Sequence, residues 1–271
     1  MSSGEETSQR QDLSPTVLTT DMEHAAKEFF DELAELYDPA HRERDIGDES
    51  FYRELAMNAD GPVLEVGCGT GRIYLELLSA GVDADGFDIS EGMLQVLEDK
   101  ATERELDAFV WRDDMREFEV AREYDLVIMP FRTFLHNLSV EDQLATLERC
   151  REALRPGGRL ALNVFTPNFE TICETYGKPD TWTFIHQGEE YQVTDVTDFV
   201  DEVEQITAST RRITRDGRTV SKATFELSLL SRREFELLLR TSGWSDWTFY
   251  GGFSGDELET AGQEMVLIAE R

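Results

Sequence analysis

The sequence predicts a doubly wound α/β fold with a β-rich insertion, and three observations carry that expectation. A short apolar run, Val63-Leu64-Glu65-Val66, runs into glycines at alternate positions, Gly67, Gly69 and Gly71. A helical pattern of Ile73, Leu75, Leu77 and Leu78 follows and stops at Gly81. Strand, tight turn and helix in that order make the first half of a βαβ unit. Further strand candidates follow as far as Phe165, whereas residues 166–230 change character. There Phe184, Tyr191, Val193 and Val196, then Phe225, Leu227 and Leu229, favour strands with period-two alternation.

The elements are taken in chain order. Residues 1–20 are rich in Ser, Thr, Glu and Gln and read as a mobile tail. Behind Asp21, which can cap, Ala26, Phe29, Phe30, Leu33, Leu36 and Tyr37 recur with helical period. Phe51, Tyr52, Leu55 and Ala56 repeat that pattern over 48–58, so 21–60 forms an N-terminal helical cap. The stretches 61–165 and 231–271 form the main α/β domain. Ser139-Val140-Glu141-Asp142 caps a helix that carries Leu144, Leu147 and Leu154 on one face. Ser231-Arg232-Arg233-Glu234 is a capping box for Phe235, Leu238 and Leu239, ended by Gly243. Strands over Trp247–Tyr250 and Glu264–Ala269 complete the sheet. Within 166–230, Arg215-Asp216-Gly217-Arg218 reads as a hairpin turn.

The glycine turn narrows the ligand. The dinucleotide fingerprint G-x-G-x-x-G fails by one residue, because Arg72 stands where its third glycine belongs. No Gly-Lys-Ser/Thr follows, so it is not a P-loop either. The run Val63–Gly71 resembles motif I of the class I S-adenosylmethionine-dependent methyltransferases. Four more segments resemble that family in register. Gly86-Phe87-Asp88-Ile89-Ser90 matches the end of a second strand, and Trp111-Arg112-Asp113-Asp114-Met115-Arg116 matches the third-strand motif. Tyr124–Met129 matches a fourth strand entered through an acid, and Leu154–Leu160 an L-x-P-G-G turn before a fifth.

The resemblance implies a mostly parallel seven-stranded sheet with helices on both faces and N-terminal helices over the cofactor mouth. The last strand would be antiparallel beside the fifth. It also implies S-adenosyl-L-methionine as cofactor. Asp88 would grip the ribose diol, Asp114 the adenine amino group, and Met115 would pack on the base. Glu65 would hold the ammonium through water or tie down the loop. Gly67, Cys68, Gly69, Gly71 and Arg72 would take the carboxylate, with Ile89, Met93 and Phe131 completing the site and Tyr37 touching the methionine moiety or the acceptor. The positive groups of this cofactor suit Glu65, Asp88 and Asp114, a ring that would repel a pyrophosphate. Asp88 and Asp114 also fit solvated strand-end acids, and Tyr37 also fits core packing.

The composition is extreme: 57 acids against 26 bases give a net charge of −31 over 271 residues. Of the bases, only Lys27, Lys100, Lys178 and Lys222 are lysines. Such a surplus makes a nucleic-acid partner unlikely, since phosphate contact needs a basic face. It also matches proteins of salt-accumulating halophiles, where a Debye length of about 3 Å at molar salt screens the self-repulsion. Cys68, Cys150 and Cys173 show no metal or redox spacing and read as buried free thiols. With no signal peptide and no run of 18 apolar residues, the expectation is a cytoplasmic protein without a membrane partner.

Methyl transfer from a sulfonium is an in-line displacement in which the protein aligns the groups and excludes water. The family has no universal base motif, so the catalytic residue is unknown from the sequence. The segment Pro130-Phe131-Arg132-Thr133-Phe134-Leu135-His136-Asn137, after the fourth strand, is where acceptors sit. It lacks the Asn/Asp-Pro-Pro-Tyr/Phe run that grips nucleobase amino groups. His136 is a candidate general base or a structural hydrogen-bonder. Arg132 is a candidate for a substrate carboxylate or for the nearby acids. His24 and His41 look solvated, and His186 lies in the insertion. No cluster has metal-ligand spacing.

The insertion resembles the lid of small-molecule N- and O-methyltransferases, with a homodimer surface as its rival role. The expected function is therefore methyl transfer to nitrogen or oxygen of a small molecule. The alternatives are a cofactor-binding module without turnover, a protein or RNA methyltransferase, and a nicotinamide oxidoreductase disfavoured by Arg72 and the acids.

Overall fold

The computed structural model describes residues 16–41 and 46–271. The chain runs α1 (Thr16–His41), α2 (Glu49–Met57), β1 (Val63–Val66), α3 (Tyr74–Ser79), β2 (Ala84–Asp88), α4 (Glu91–Glu103), β3 (Phe109–Arg112) and β4 (Tyr124–Met129). A 3-10 turn (Thr133–His136) leads to α5 (Val140–Ala153) and β5 (Leu154–Phe165). Next come α6 (Phe169–Thr175), β6 (Pro179–His186), β7 (Glu189–Asp201), β8 (Ile206–Arg215) and β9 (Arg218–Ser228). The chain closes with α7 (Arg232–Thr241), β10 (Asp246–Gly251) and β11 (Glu264–Glu270).

Seven strands make the main sheet in the order β10-β11-β5-β4-β1-β2-β3. β11 alone runs against the rest, antiparallel to both β5 and β10. The strand sequences explain why the sheet is covered on both sides. All four residues of β1 and all five of β2 are buried, and their side chains alternate between two cores. Leu64 and Val66 pack with Leu147, Cys150, Phe235 and Leu239 of α5 and α7. Val63 packs with Tyr52, Leu75, Leu94 and Leu97 of α2, α3 and α4. The helix starts read from the sequence are present: Ser139 accepts from the N–H of Asp142, and Ser231 and Glu234 form a capping box.

The insertion is an antiparallel meander, β6-β7-β8-β9. Its last hairpin turns at Asp216 and Gly217, both with positive φ (50° and 73°), as a two-residue turn between right-twisted strands requires. Odd-numbered residues of β7, β8 and β9 face inward, and even-numbered residues of β6, whose Phe184 pairs with Tyr191. Phe184, Tyr191, Val193 and Ile213 of this face form a third core with Phe29, Leu33 and Ala40 of α1.

The first helix therefore lies between the insertion and the main domain. Toward the main domain, the Asp31 carboxylate accepts the Ser90 hydroxyl at 2.6 Å and the Gly92 N–H at 3.1 Å, capping α4 from another helix. Asp38 accepts the Thr70 hydroxyl at 2.6 Å and pairs with Lys100. Toward the insertion, the Ala40 carbonyl accepts the Trp182 indole N–H at 3.2 Å.

Four details differ from the sequence reading, the first that Leu154 starts β5 instead of lying on the face of α5. The backbone of α1 begins at Thr16, not at Asp21, so residues 16–20 belong to a helix whose later turns supply the packing. Residues 1–15 and the side chain of His24 lie outside the described part. Cys173 is exposed on α6, which has no buried residue, while Cys68 and Cys150 are buried as expected. His41 is not solvated, for reasons given below. Among the described residues no helix is long and apolar enough to cross a membrane.

Burial pushes the Asp31 carboxyl up, but the Ser90 hydroxyl, Lys27 and the Gly92 N–H together hold it below the usual carboxylate range. Its stabilisation is present above the ordinary carboxylate pKa and is lost as the pH falls through the lowered one. Asp31→Ala should cost about 1–2 kcal/mol by the scale of helix caps. Urea unfolding at pH 7 measures this, and a variant as stable as the wild type would remove Asp31 as an anchor of α1.

Candidate active site

One large cavity of about 800 Å³ opens at the carboxyl ends of β1, β2 and β4, where open α/β sheets hold ligands. Its roof is Phe29, Phe30, Tyr37 and His41 of α1, and its far wall is the inner face of the insertion. The volume is near the upper end for small-molecule sites, enough for two ligands side by side.

Of the residues the sequence singles out, Tyr37, Glu65, Gly67, Cys68, Gly69, Arg72, Asp88, Ile89, Met93, Asp114, Met115, Phe131, Arg132 and His136 all line this cavity. Gly71 does not. It is turned into the core, where a Cβ would stand 2.8 Å from Leu97 Cγ and 2.9 Å from Leu75 Cγ.

The glycine turn works differently from the expected cradle of free N–H groups. Gly67 N–H and Cys68 N–H both donate to the Phe87 carbonyl, at 2.9 and 3.0 Å. Gly71 N–H donates to the Cys68 carbonyl, and Gly69 N–H donates to Asp88 Oδ2 at 2.9 Å. The turn is thus closed against β2, and its own hydrogen bonds hold it. Glycine is needed for approach. Gly67, with φ of 71°, lies so close to Thr133 that a Cβ would stand 2.5 Å from its Cγ2.

Asp88 is fixed by two N–H groups, that of Gly69 and, at 2.9 Å, that of Ser90 on its other oxygen. Burial nevertheless outweighs these donors and lifts its carboxyl to about 6, with the Asp31 charge adding to the rise. Glu65 is buried and its carboxyl is pushed well up by desolvation. Among the described residues its Oε2 has no hydrogen-bond partner, and Glu65 lines the cavity. Asp114 is paired with Arg116 through two nitrogens, at 2.9 and 2.5 Å. Despite burial, that guanidinium holds its carboxyl below the usual range. A carboxylate has about four acceptor positions, so Asp114 keeps capacity for a further donor.

Arg72 is held by the fully buried Asp48 through two hydrogen bonds of 2.6 and 2.7 Å, and its guanidinium lies 5.0 Å from the Phe131 ring. Phe131 and Arg132 both have positive φ, 55° and 69°. Such strain in bulky residues persists only where surroundings enforce it. Here Asn163 Oδ1 accepts Phe131 N–H at 2.9 Å and the Tyr52 hydroxyl at 2.7 Å. The Arg132 guanidinium forks onto Glu264 at 3.0 and 2.8 Å. Of the two roles weighed for Arg132, the structure shows the pairing with a neighbouring acid.

His136 is a neutral imidazole. Burial lowers it to about 4, although a hydrogen bond to the Glu226 backbone works the other way. Among the described residues its Nδ1 is buried without a partner. The ring gives its N–H to the Glu226 backbone through the other nitrogen, so the lone pair is on Nδ1. A ring this hard to protonate is a poor general base and a good hydrogen-bond acceptor.

Several lining residues escaped the sequence reading. His41 stacks on Tyr37 at 4.2 Å, its Nδ1 lies 2.8 Å from the Tyr37 carbonyl, and its Nε2 lies 2.8 Å from Arg211 Nη1. Arg211 is in turn forked onto Asp195. The carbonyl requires Nδ1–H and the guanidinium requires a lone pair on Nε2, which fixes the neutral tautomer. Thr197 and Ser209, hydroxyls 2.6 Å apart, line the insertion side with Thr207. The only signal for these was their place on the inward parity of alternating strands.

The Asp88 carboxyl sets a pH signature. A folded pKa of about 6 above the ordinary 3.8 means its contribution to stability is full below about pH 4 and is lost as the pH rises through 6. Unfolding free energies from pH 4 to 7 should contain a component of up to about 3 kcal/mol that is missing from Asp88→Asn. Parallel curves for the two proteins would show that Asp88 is ionised normally.

Comparison with known proteins agrees with this geometry. A methyltransferase-domain family profile matches residues 63–158, the stretch from β1 to the turn before the long part of β5. The chain is 26% identical, over 84% of its length and 90% of the other's, to dTDP-3-amino-3,6-dideoxy-alpha-D-glucopyranose N,N-dimethyltransferase of Streptomyces fradiae. It is 27% identical to the cypemycin N-terminal methyltransferase of a Streptomyces species, over 77% of this chain and 82% of that one. Among solved structures, the CcbJ methyltransferase of Streptomyces caelestis superposes with a TM-score of 0.75 at 21% identity, covering 89% of this chain and 96% of the other. The chain belongs to the class I S-adenosylmethionine-dependent methyltransferases.

Proposed function

We propose that this protein transfers a methyl group to the nitrogen of a small-molecule amine, with the donor at the glycine turn and the acceptor beneath the insertion. The observation that carries this reading is the buried, unpartnered Nδ1 of a neutral His136 in the wall of a cavity with room for both ligands. Of the relatives named above, one is by name an N,N-dimethyltransferase and another an N-terminal methyltransferase.

The residues of the donor end fit S-adenosyl-L-methionine. The Asp88 carboxylate would accept from the ribose hydroxyls, and the orphaned Glu65 Oε2 would accept from the ammonium. Asp114 would accept from the adenine amino group beside Met115. Arg72, anchored by Asp48, would make a single-point contact to the carboxylate, since the N–H groups of Gly67, Cys68, Gly69 and Gly71 are already bonded within the chain. When bound, the cofactor supplies an electrophilic methyl carbon and a thioether leaving group.

The chain's own residues do the rest. Tyr37 and Phe131 close the cavity around the methyl and exclude water. His136 Nδ1 accepts one N–H of the acceptor amine, turning the nitrogen lone pair toward the methyl carbon. As the N–C bond forms, the C–S bond breaks and its electron pair leaves with sulfur. The proton released from the new ammonium goes to solvent, since His136 is too weak a base to keep it. The insertion acts as a substrate lid because its inner face lines the cavity.

Incubation with methyl-labelled S-adenosylmethionine and a panel of small amines, alcohols and phenols tests the reading. Label should appear on amines, and transfer confined to hydroxyl acceptors would overturn it. Cofactor affinity should fall as the pH drops below about 6, because protonated Asp88 loses one acceptor position. Titration calorimetry from pH 5 to 8 measures this, and flat affinity would remove Asp88 from the ribose site. His136→Phe should lower kcat on the order of 100-fold with the cofactor Kd unchanged, the scale of a misplaced reactant. His136→Asn, whose amide oxygen can replace Nδ1, should recover most of the loss. Full activity in the phenylalanine variant would end the positioning role.

A further inference from the structure

Among the described residues, all four guanidinium groups that line the cavity are already held by carboxylates. Arg72 is forked onto Asp48, Arg116 onto Asp114, Arg132 onto Glu264 and Arg211 onto Asp195. The pairs are tight: Asp48 is fully buried, and Arg211 has each guanidinium nitrogen engaged, the third by His41. Bidentate pairing takes up the fork geometry with which arginine captures phosphate and carboxylate groups, and leaves each guanidinium, Arg72 at the donor end included, no more than a single-point contact.

We propose that the acceptor amine carries no anionic group: it is a neutral or cationic hydroxylated amine, not one bearing a carboxylate or esterified to a nucleoside diphosphate. The proposal rests on the N-methyltransferase reading and goes beyond it by naming the acceptor's charge class. The acceptor end of the cavity offers hydroxyls, not free cations, among the described residues. Thr197 and Ser209 present a bonded hydroxyl pair from the insertion, and Thr207 stands beside them. One hydroxyl of the bonded pair keeps an O–H to donate, Thr207 gives its own to the Leu227 carbonyl, and all three keep a lone pair to accept a hydroxyl of the ligand. An anion placed here would lose its hydration with no cation released to replace it, because freeing a guanidinium would leave its own carboxylate buried and unpaired. The field of a chain with net charge −31 adds to the discrimination at long range.

The test pairs acceptors that differ in charge but little in shape. Ethanolamine against glycine replaces a hydroxymethyl by a carboxylate, and a free aminohexose is set against the same aminohexose as its nucleoside diphosphate ester. Wild-type protein with labelled cofactor should favour the member without the anionic group in each pair at least tenfold in kcat/KM. In Glu264→Gln the Arg132 guanidinium is released, and the ratio of glycine to ethanolamine turnover should rise severalfold. Equal or preferred use of the anionic members would overturn the proposal and leave N-methylation standing. Failure to methylate any amine, in protein that binds the cofactor, would overturn both.

Discussion

The burial of one helix between two sheets is the constraint on which the site depends. α1 is amphipathic in a demanding sense: Phe29, Leu33 and Ala40 pack with the insertion, while Asp31 and Asp38 bind the main domain. Without it the meander would lose the partner of its inner face, and the glycine turn would open to solvent. A four-stranded antiparallel sheet with one apolar face needs such a cover to be stable. The same helix that completes the fold of the insertion also closes the cavity, so stability and site geometry are one problem in this chain.

Strain is concentrated where that cavity meets the end of β4. Phe131 and Arg132 are forced into left-handed backbone by a buried polar network of Tyr52, Asn163 and Glu264, drawn from α2, β5 and β11. Three separate parts of the chain therefore determine where one aromatic ring points. The cost of two strained residues, roughly 1–3 kcal/mol each, is carried by a network in which Asn163 Oδ1 accepts two donors and Glu264 three.

The main sheet was legible in the sequence because its signals are local. Glycines at 67, 69 and 71, strand-end acids at 88 and 114, and caps at Ser139 and Ser231 each act within a few residues. That is why fourteen of the fifteen residues expected at the site do line the cavity, with only Gly71 turned away. What could not be read was partnership across the chain. Arg132 and Glu264 are 132 residues apart, and His41 and Arg211 are 170 apart. With 57 acids to choose from, no sequence argument assigns a given arginine its carboxylate. The same holds for the donors of the glycine turn, whose use by the Phe87 carbonyl depends on the approach of β2.

The roof position of α1 also bears on the timing of turnover. Phe29, Phe30, Tyr37 and His41 all sit on one side of the cavity and on one helix. Any opening of this roof to exchange spent donor for fresh donor would be a motion of that helix, with its contacts at Asp31, Asp38 and Ala40 as the latches. Such motions run on microsecond to millisecond scales and commonly limit the overall rate. Amide hydrogens along α1 would then report the opening frequency directly, and a slow methyl acceptor and a fast one would share the same ceiling.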